Sequence, residues 1–145
     1  MEHTNEKQFT FFRFEDLRVY HKALDYTVWV SDATKINPVA NSELFNRFNV
    51  SAQNIVLNIA EGSARNKSQF IYYLKMAKSS IRECLVFTSI STDMGLIEEE
   101  HDTASRNQLM ELTKMIGALI SSLQRSVSKD EEMDDKREQI DANTY

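Results

Sequence analysis

One cysteine, one proline and three glycines are the whole stock of these residues in a chain of 145. The lone Cys84 has no partner for an internal disulfide. No apolar run approaches the roughly 20 residues that span a bilayer, which excludes a transmembrane helix. The opening Met1-Glu2-His3-Thr4-Asn5-Glu6 has neither a basic start nor an apolar block, so no secretory signal is expected. Together with the single thiol, that predicts a protein of the reducing cytoplasm. With so little glycine there is also no phosphate-cradling loop, and neither H-E-x-x-H nor G-x-S-x-G occurs.

What is present is a globular composition, 41% hydrophobic and 27% charged. A chain of this length fits one domain. The net charge of −5 is unevenly placed. Residues 126–145 carry three basic and seven acidic side chains, and the first eight residues add one further net negative charge. Residues 9–125 are neutral, with a basic excess up to residue 92 and an acidic excess from 93 to 125.

The few breakers mark the joints. Pro38 lacks the N–H a helix needs, and Gly62 and Gly95 sit where C-caps would. They divide the chain into four segments of helical length. The first helix is predicted over 15–35, with Leu17, Tyr20, Leu24, Thr27 and Ser31 inward and Ala23, Val28 and Val30 widening the face. The second spans 42–61, capped by Asn41 or Ser42, with Phe45, Phe48, Ala52, Ile55 and Ile59 inside. The third spans 68–94. The fourth spans 98–127, with Leu109, Leu112, Ile116, Leu119, Leu123 and Val127 inside. The expected fold class is all-α, an antiparallel up-and-down four-helix bundle. Residues 1–13 form an aromatic leader containing Phe9, Phe11 and Phe12, residues 14–127 the bundle, and residues 128–145 an acidic tail expected to be disordered. Gly117, inside the fourth helix, costs about 1 kcal/mol relative to alanine unless it admits a neighbouring helix, and such close approach is expected.

Nothing converges on catalysis. His3, His21 and His101 are scattered, with no cysteine or second histidine at ligand spacing, so no metal site and no cofactor are expected. Glu98-Glu99-Glu100 complements a helix start. Cys84 shares a face with Ile81 and Thr88 and reads as a small buried apolar residue.

Three features remain. On the third helix Lys75, Lys78 and Arg82 lie within about 60° of one another, with Tyr72 on the same side and Arg65 and Lys67 in the preceding linker. Such a stripe could grip phosphates while Tyr72 stacks on a base; it could equally be a solvated helix face. On the second helix Arg47, Asn54, Asn58 and Glu61 form a polar row. Within it Glu61 could pair with Arg65 and Asn58 could set helix register. The third helix also has two apolar seams, one from Phe70 to Thr88 and one through Met76, Ser80, Glu83, Phe87, Ile90 and Met94. Together with the leading phenylalanines they favour self-association.

The stretch Asn58-Ile59-Ala60-Glu61-Gly62 resembles the signature of the four-helix-bundle proteins encoded by intervening sequences in bacterial large-subunit ribosomal RNA genes. Phe14-x-x-Leu17-x-Val19-Tyr20-x-Lys22-Ala23 is similar to that family's opening, and Phe70-x-x-x-Leu74-x-x-Ala77-x-x-Ser80-x-x-Glu83 to its third helix. The resemblance covers roughly residues 12–125. It implies a bundle without enzymatic activity, assembled as a homopentameric ring, and related to the accessory variability determinant of diversity-generating retroelements, which associates with nucleic acid and a reverse transcriptase. The chain departs from the pattern at Asn54, Val56 and Leu57, and in its acidic net charge.

The resulting expectation is a non-enzymatic oligomeric bundle that binds RNA, DNA or a nucleic-acid-handling partner through Arg65, Lys67, Tyr72, Lys75, Lys78 and Arg82. The alternative is a protein-interaction scaffold without nucleic acid.

Overall fold

The computed structural model describes residues 12–35 and 42–143. His3, Phe9, Phe11, Pro38 and Asn41, which entered the sequence reading, lie outside them. A 3-10 turn, Arg13–Asp16, precedes four α-helices: α1 (Arg18–Lys35), α2 (Ser42–Ser63), α3 (Lys67–Asp93) and α4 (Glu99–Asn143). Each packs on its neighbours in chain order, α1 closes against α4, and the α1–α3 and α2–α4 diagonals make no close backbone approach. That is the expected up-and-down four-helix bundle, with no strand among the described residues.

α1 begins three residues later than predicted. Glu15 and Asp16 belong to the 3-10 turn, Leu17 is extended, and its carbonyl accepts the first helical bonds from Tyr20 and His21. The buried face of α1 also differs from the prediction by one position, a rotation of about 100°. Val19, Ala23, Tyr26, Val30 and Thr34 point inward, while Leu24 and Val28 are exposed. Tyr26 decides the orientation. Its hydroxyl is fully buried and lies 2.9 Å from Ser105 Oγ on α4; Ser105 Oγ lies 2.7 Å from Thr88 Oγ1 on α3, and Thr88 donates to the Cys84 carbonyl at 2.8 Å. Thr88 has one proton, so Ser105 donates to Thr88 and Tyr26 donates to Ser105. A directed chain of hydrogen bonds thereby ties three helices together.

The other faces follow the sequence closely. Phe45, Phe48, Ala52, Ile55 and Ile59 are all buried on α2, as are Leu74, Ala77, Ile81, Cys84 and Thr88 on α3. On α4 Leu109, Leu112 and Ile116 are buried, with Ser105 and Ile120, and Leu119 and Leu123 pack against the core from its edge. Each fully buried aliphatic side chain contributes about 1.5–3 kcal/mol.

The three glycines have three different roles. Gly95 has φ +70° and ends α3. Its N–H bonds Thr92 O at 3.0 Å and that of Leu96 bonds Ser91 O at 2.9 Å, the paired bonds of a Schellman cap. Gly62 does not cap α2 as predicted: the helix runs through it to Ser63. A Cβ at Gly62 would stand 2.6 Å from Tyr73 Cβ and 2.8 Å from Phe70 Cδ2, so the missing side chain is what lets α3 approach. Gly117 corrects the opposite expectation, since a Cβ there meets nothing within 4 Å. Gly117→Ala should therefore stabilise the protein by about 1 kcal/mol through helix propensity, read as a raised midpoint in thermal unfolding; a lowered midpoint would reveal a contact at this position.

The largest departure is at the C-terminus. α4 does not end near Val127 but continues as helix to Asn143, through the segment expected to be disordered. Residues 129–143 contain no glycine or proline, and seven of the fifteen are Glu, Lys, Arg or Gln, good helix formers, against four less favourable aspartates. Their side chains are exposed along the whole extension. Lys67, at the start of α3, bonds Asp130, so the helix beyond this point projects roughly 20 Å past the bundle end at 1.5 Å per residue.

Candidate nucleic-acid interface

The third helix starts cleanly. Asn66 accepts the Gln69 N–H at 2.9 Å as N-cap, which fixes where Lys67 and every later side chain fall around α3. The seam from Leu74 to Thr88 is turned into the core, and that leaves Tyr72, Lys75 and Arg82 exposed with Lys78 half-buried beside them. Lys75, Lys78 and Arg82 enter no ion pair among the described residues; Arg82 Nη2 donates to Ser79 Oγ at 3.0 Å. The expected stripe is therefore a solvent-facing line of three cations one helical turn apart, with the Tyr72 ring at its end.

Arg65 and Lys67 do not join it. Arg65 is held by Glu61, four residues back, at 2.6 Å, and its guanidinium lies 5.7 Å from the centre of the Tyr73 ring. The Glu61 hydrogen bond, then the charges of Tyr73 and Glu61, raise the Arg65 pKa above its ordinary value. Lys67 Nζ is shared between Ser126 Oγ at 2.6 Å and Asp130 at 2.8 Å. Lys67 and Asp130 are separated by 63 residues, and nothing in the periodicity of either helix forecasts their meeting.

The polar row of α2 separates likewise. Glu61 is taken by Arg65, and Asn58 Nδ2 donates to the Asn54 carbonyl at 2.8 Å within its own helix. Arg47 lies 5.8 Å from the centre of the Phe87 ring. Arg47 and Asn54 line an open groove of about 700 Å³ between α2 and α3, and Arg82 lines its other wall. The top of the row and the end of the stripe are thus brought to one place. Its apolar lining joins Phe87, a member of the second seam of α3, to Val50 and Val86, which escaped the sequence reading. The signal was available: Val50 and Leu57 stand seven residues apart on a polar face, as apolar residues an inward-facing helix would not need there.

Around Cys84 the chemistry is closed. Burial, then the nearby Glu83 charge, pushes its thiol up to about 12, so it stays neutral and unreactive near pH 7. His21 Nε2 bonds the Glu15 carbonyl, and His101 packs near Trp29 with its Nδ1 buried. Among the described residues no group of three His, Cys, Asp or Glu could hold a metal ion. No helix among them is long and apolar enough to cross a membrane.

The chain matches no curated protein. The family model of the 23S rRNA-intervening sequence protein matches residues 15–118, from the 3-10 turn to the middle of α4 and so across all four helices. The resemblance drawn from Phe14–Ala23, Asn58–Gly62 and Phe70–Glu83 falls almost wholly within that match, and its helical segments coincide with the observed bundle. The chain belongs to the 23S rRNA-intervening sequence protein family.

Proposed function

We propose that this chain is a non-enzymatic, cytoplasmic, homo-oligomeric bundle that contacts the phosphate backbone of RNA or DNA through α3. The observation that supports the reading is the line Lys75–Lys78–Arg82, which is free of ion pairs among the described residues and is flanked by the exposed Tyr72 ring. Three cations on one face suit successive phosphates, and an exposed phenol suits a base. Arg65 and Lys67 belong to a secondary position, since both are already paired. Assembly draws support from the outward-facing Val50, Leu57 and Val86, exposed by 52%, 61% and 57%, which a second copy would cover. A homopentameric ring is the form the family likeness favours.

The charge-reversed variant Lys75→Glu/Lys78→Glu tests the contact. Lys75 is exposed and Lys78 half-buried, and neither enters an ion pair among the described residues, so folding should survive, as an unchanged circular dichroism spectrum would show. Affinity for single-stranded RNA should fall about tenfold or more at low salt, and the dependence of log K on log salt should flatten by about 1.4 for two lost phosphate contacts. Unchanged affinity and slope would remove α3 from the interface.

The α2–α3 groove favours a second reading, a scaffold that docks another protein. Val50, Val86 and Phe87 form an apolar floor between Arg47 and Arg82, a shape suited to an amphipathic helix. A protein partner retained after nuclease treatment and lost with Val86→Asp would favour this reading over the first.

A further inference from the structure

At the bundle end that carries the α2–α3 turn, the acidic extension of α4 faces a group of cations. One wall of an open cleft of about 500 Å³ is formed by Arg13, Arg65, Asn66, Lys67 and Ser68. Val127, Asp130, Glu131 and Asp134 form the other. The Asp130 carboxylate sits 2.8 Å from Lys67 Nζ, and Asp134 lies one helical turn further out on the same side. Three cations from two places in the chain, Arg13 and the α2–α3 turn, meet here, and the anionic oxygens on the facing wall belong to the protein itself. Carboxylate oxygens make the same charge-assisted bonds to lysine and arginine as phosphate oxygens do.

We propose that this corner is a second phosphate-contacting surface, continuous with the α3 stripe, and that the C-terminal helix holds it closed by occupying it with Asp130 and Asp134. Lys67 leads directly into α3, whose next exposed cation is Lys75, two turns along the same helix. A nucleic-acid strand following the stripe towards the α2–α3 turn must displace Asp130 to contact Lys67 and pass the facing carboxylates to reach Arg13, while Arg65 is held by Glu61. The acidic tail thus limits how many phosphates the bundle engages, and it does so from a fixed helical position rather than through net charge. That distinction makes the idea testable. The Lys67–Asp130 contact is exposed and so energetically weak, which suits a strap that a polyanion can displace.

The inference rests on the nucleic-acid reading above. The test compares two full-chain variants that remove the same charge from the same helix. Asp130→Asn/Asp134→Asn clears the corner. Glu132→Gln/Asp135→Asn removes two carboxylates that lie roughly 150° away around the helix. Binding of a labelled single-stranded uridine oligonucleotide is followed by fluorescence anisotropy over a salt series. The first variant should bind about fivefold tighter or more and steepen the salt slope by about 0.7 for each phosphate gained; the second should stay within about twofold of the wild type. Equal tightening in both variants would reduce the effect to net charge and overturn the proposal, as would no tightening in the first. If binding depends on Lys75 and Lys78 but ignores Asp130 and Asp134, only this inference falls. If no form of the protein binds even at low salt, the nucleic-acid reading falls with it.

Discussion

Gly62→Ala is expected to destabilise the bundle by about 3 kcal/mol, although the substitution adds one methyl group and improves helix propensity. The added Cβ would stand 2.6 Å from Tyr73 Cβ, an atom fixed to the α3 backbone, and 2.8 Å from Phe70 Cδ2. Rotating the Phe70 ring could relieve the second contact. Only separating α2 from α3 relieves the first, and these two helices share the most extensive packing in the molecule. A rigid displacement there disturbs Ile55, Ile59, Leu74 and Ala77 together, all fully buried. The thermal midpoint should fall by roughly 10 °C, while Gly117→Ala raises it. A Gly62→Ala protein that melts at or above the wild-type temperature would show that α3 has slack against α2 and would sink this account of the glycine.

Breaking the chain of hydroxyls at its centre should have the next largest effect. Ser105→Ala removes the acceptor of the buried Tyr26 proton, leaving only Thr88 and Cys84 beside that hydroxyl, and deprives Thr88 of the bond it accepts. The cost of a buried donor left unsatisfied is about 1–3 kcal/mol. Tyr26→Phe removes a donor and leaves Ser105 still able to donate to Thr88, so it should cost less. The two substitutions should not add: the double variant should be more stable than Ser105→Ala alone. Additive losses in a double-mutant cycle would refute the directed chain. The same phenol gives an alkaline signature. Burial, then the neighbouring Cys84, lifts its pKa above the ordinary value, so the unfolded chain releases this proton at lower pH than the folded one. Stability is complete below the unfolded pKa near 10 and falls as pH rises above it. Tyr26→Phe should lose less stability than the wild type between neutral and strongly alkaline pH.

How much of the bundle could be read from the sequence differs from helix to helix, for physical reasons. α2 is the most legible because Phe45, Phe48, Ala52, Ile55 and Ile59 recur at helical spacing on one side, although Val50 and Leu57 stand on the other. α1 is less so, because apolar residues occur all round it. Leu24 and Val28 compete with Val19, Ala23 and Val30, and the deciding residue, Tyr26, is one whose polar group needs a partner 79 residues away. The end of α4 was misjudged because acidic composition suggests disorder while residue-by-residue propensity favours helix. Gly62 and Gly117 were misassigned for a related reason. A glycine's role depends on what lies opposite it, and one sequence gives the spacing along a helix but not the separation between two helices.

The candidate site divides in the same way. Lys75, Lys78, Arg82 and Tyr72 share a face of a single helix, so spacing alone grouped them. The partners of Arg65 and Lys67 show where that logic ends. Glu61 lies four residues from Arg65 and could be anticipated, whereas Asp130 reaches Lys67 only because α4 runs antiparallel to α3 and outlasts it. The groove that joins Arg47 and Asn54 to Arg82 is likewise a product of helix packing.

The most direct test of the central claim is the mass of the purified full-length protein by light scattering after size exclusion, with absorbance followed at two wavelengths for co-purifying nucleic acid. An oligomeric bundle that engages phosphates should elute at several times the chain mass of 16.8 kDa, five times for the ring the family likeness favours, carrying nucleic acid that high salt removes. A clean monomer of 16.8 kDa without nucleic acid would contradict both halves of the proposed function.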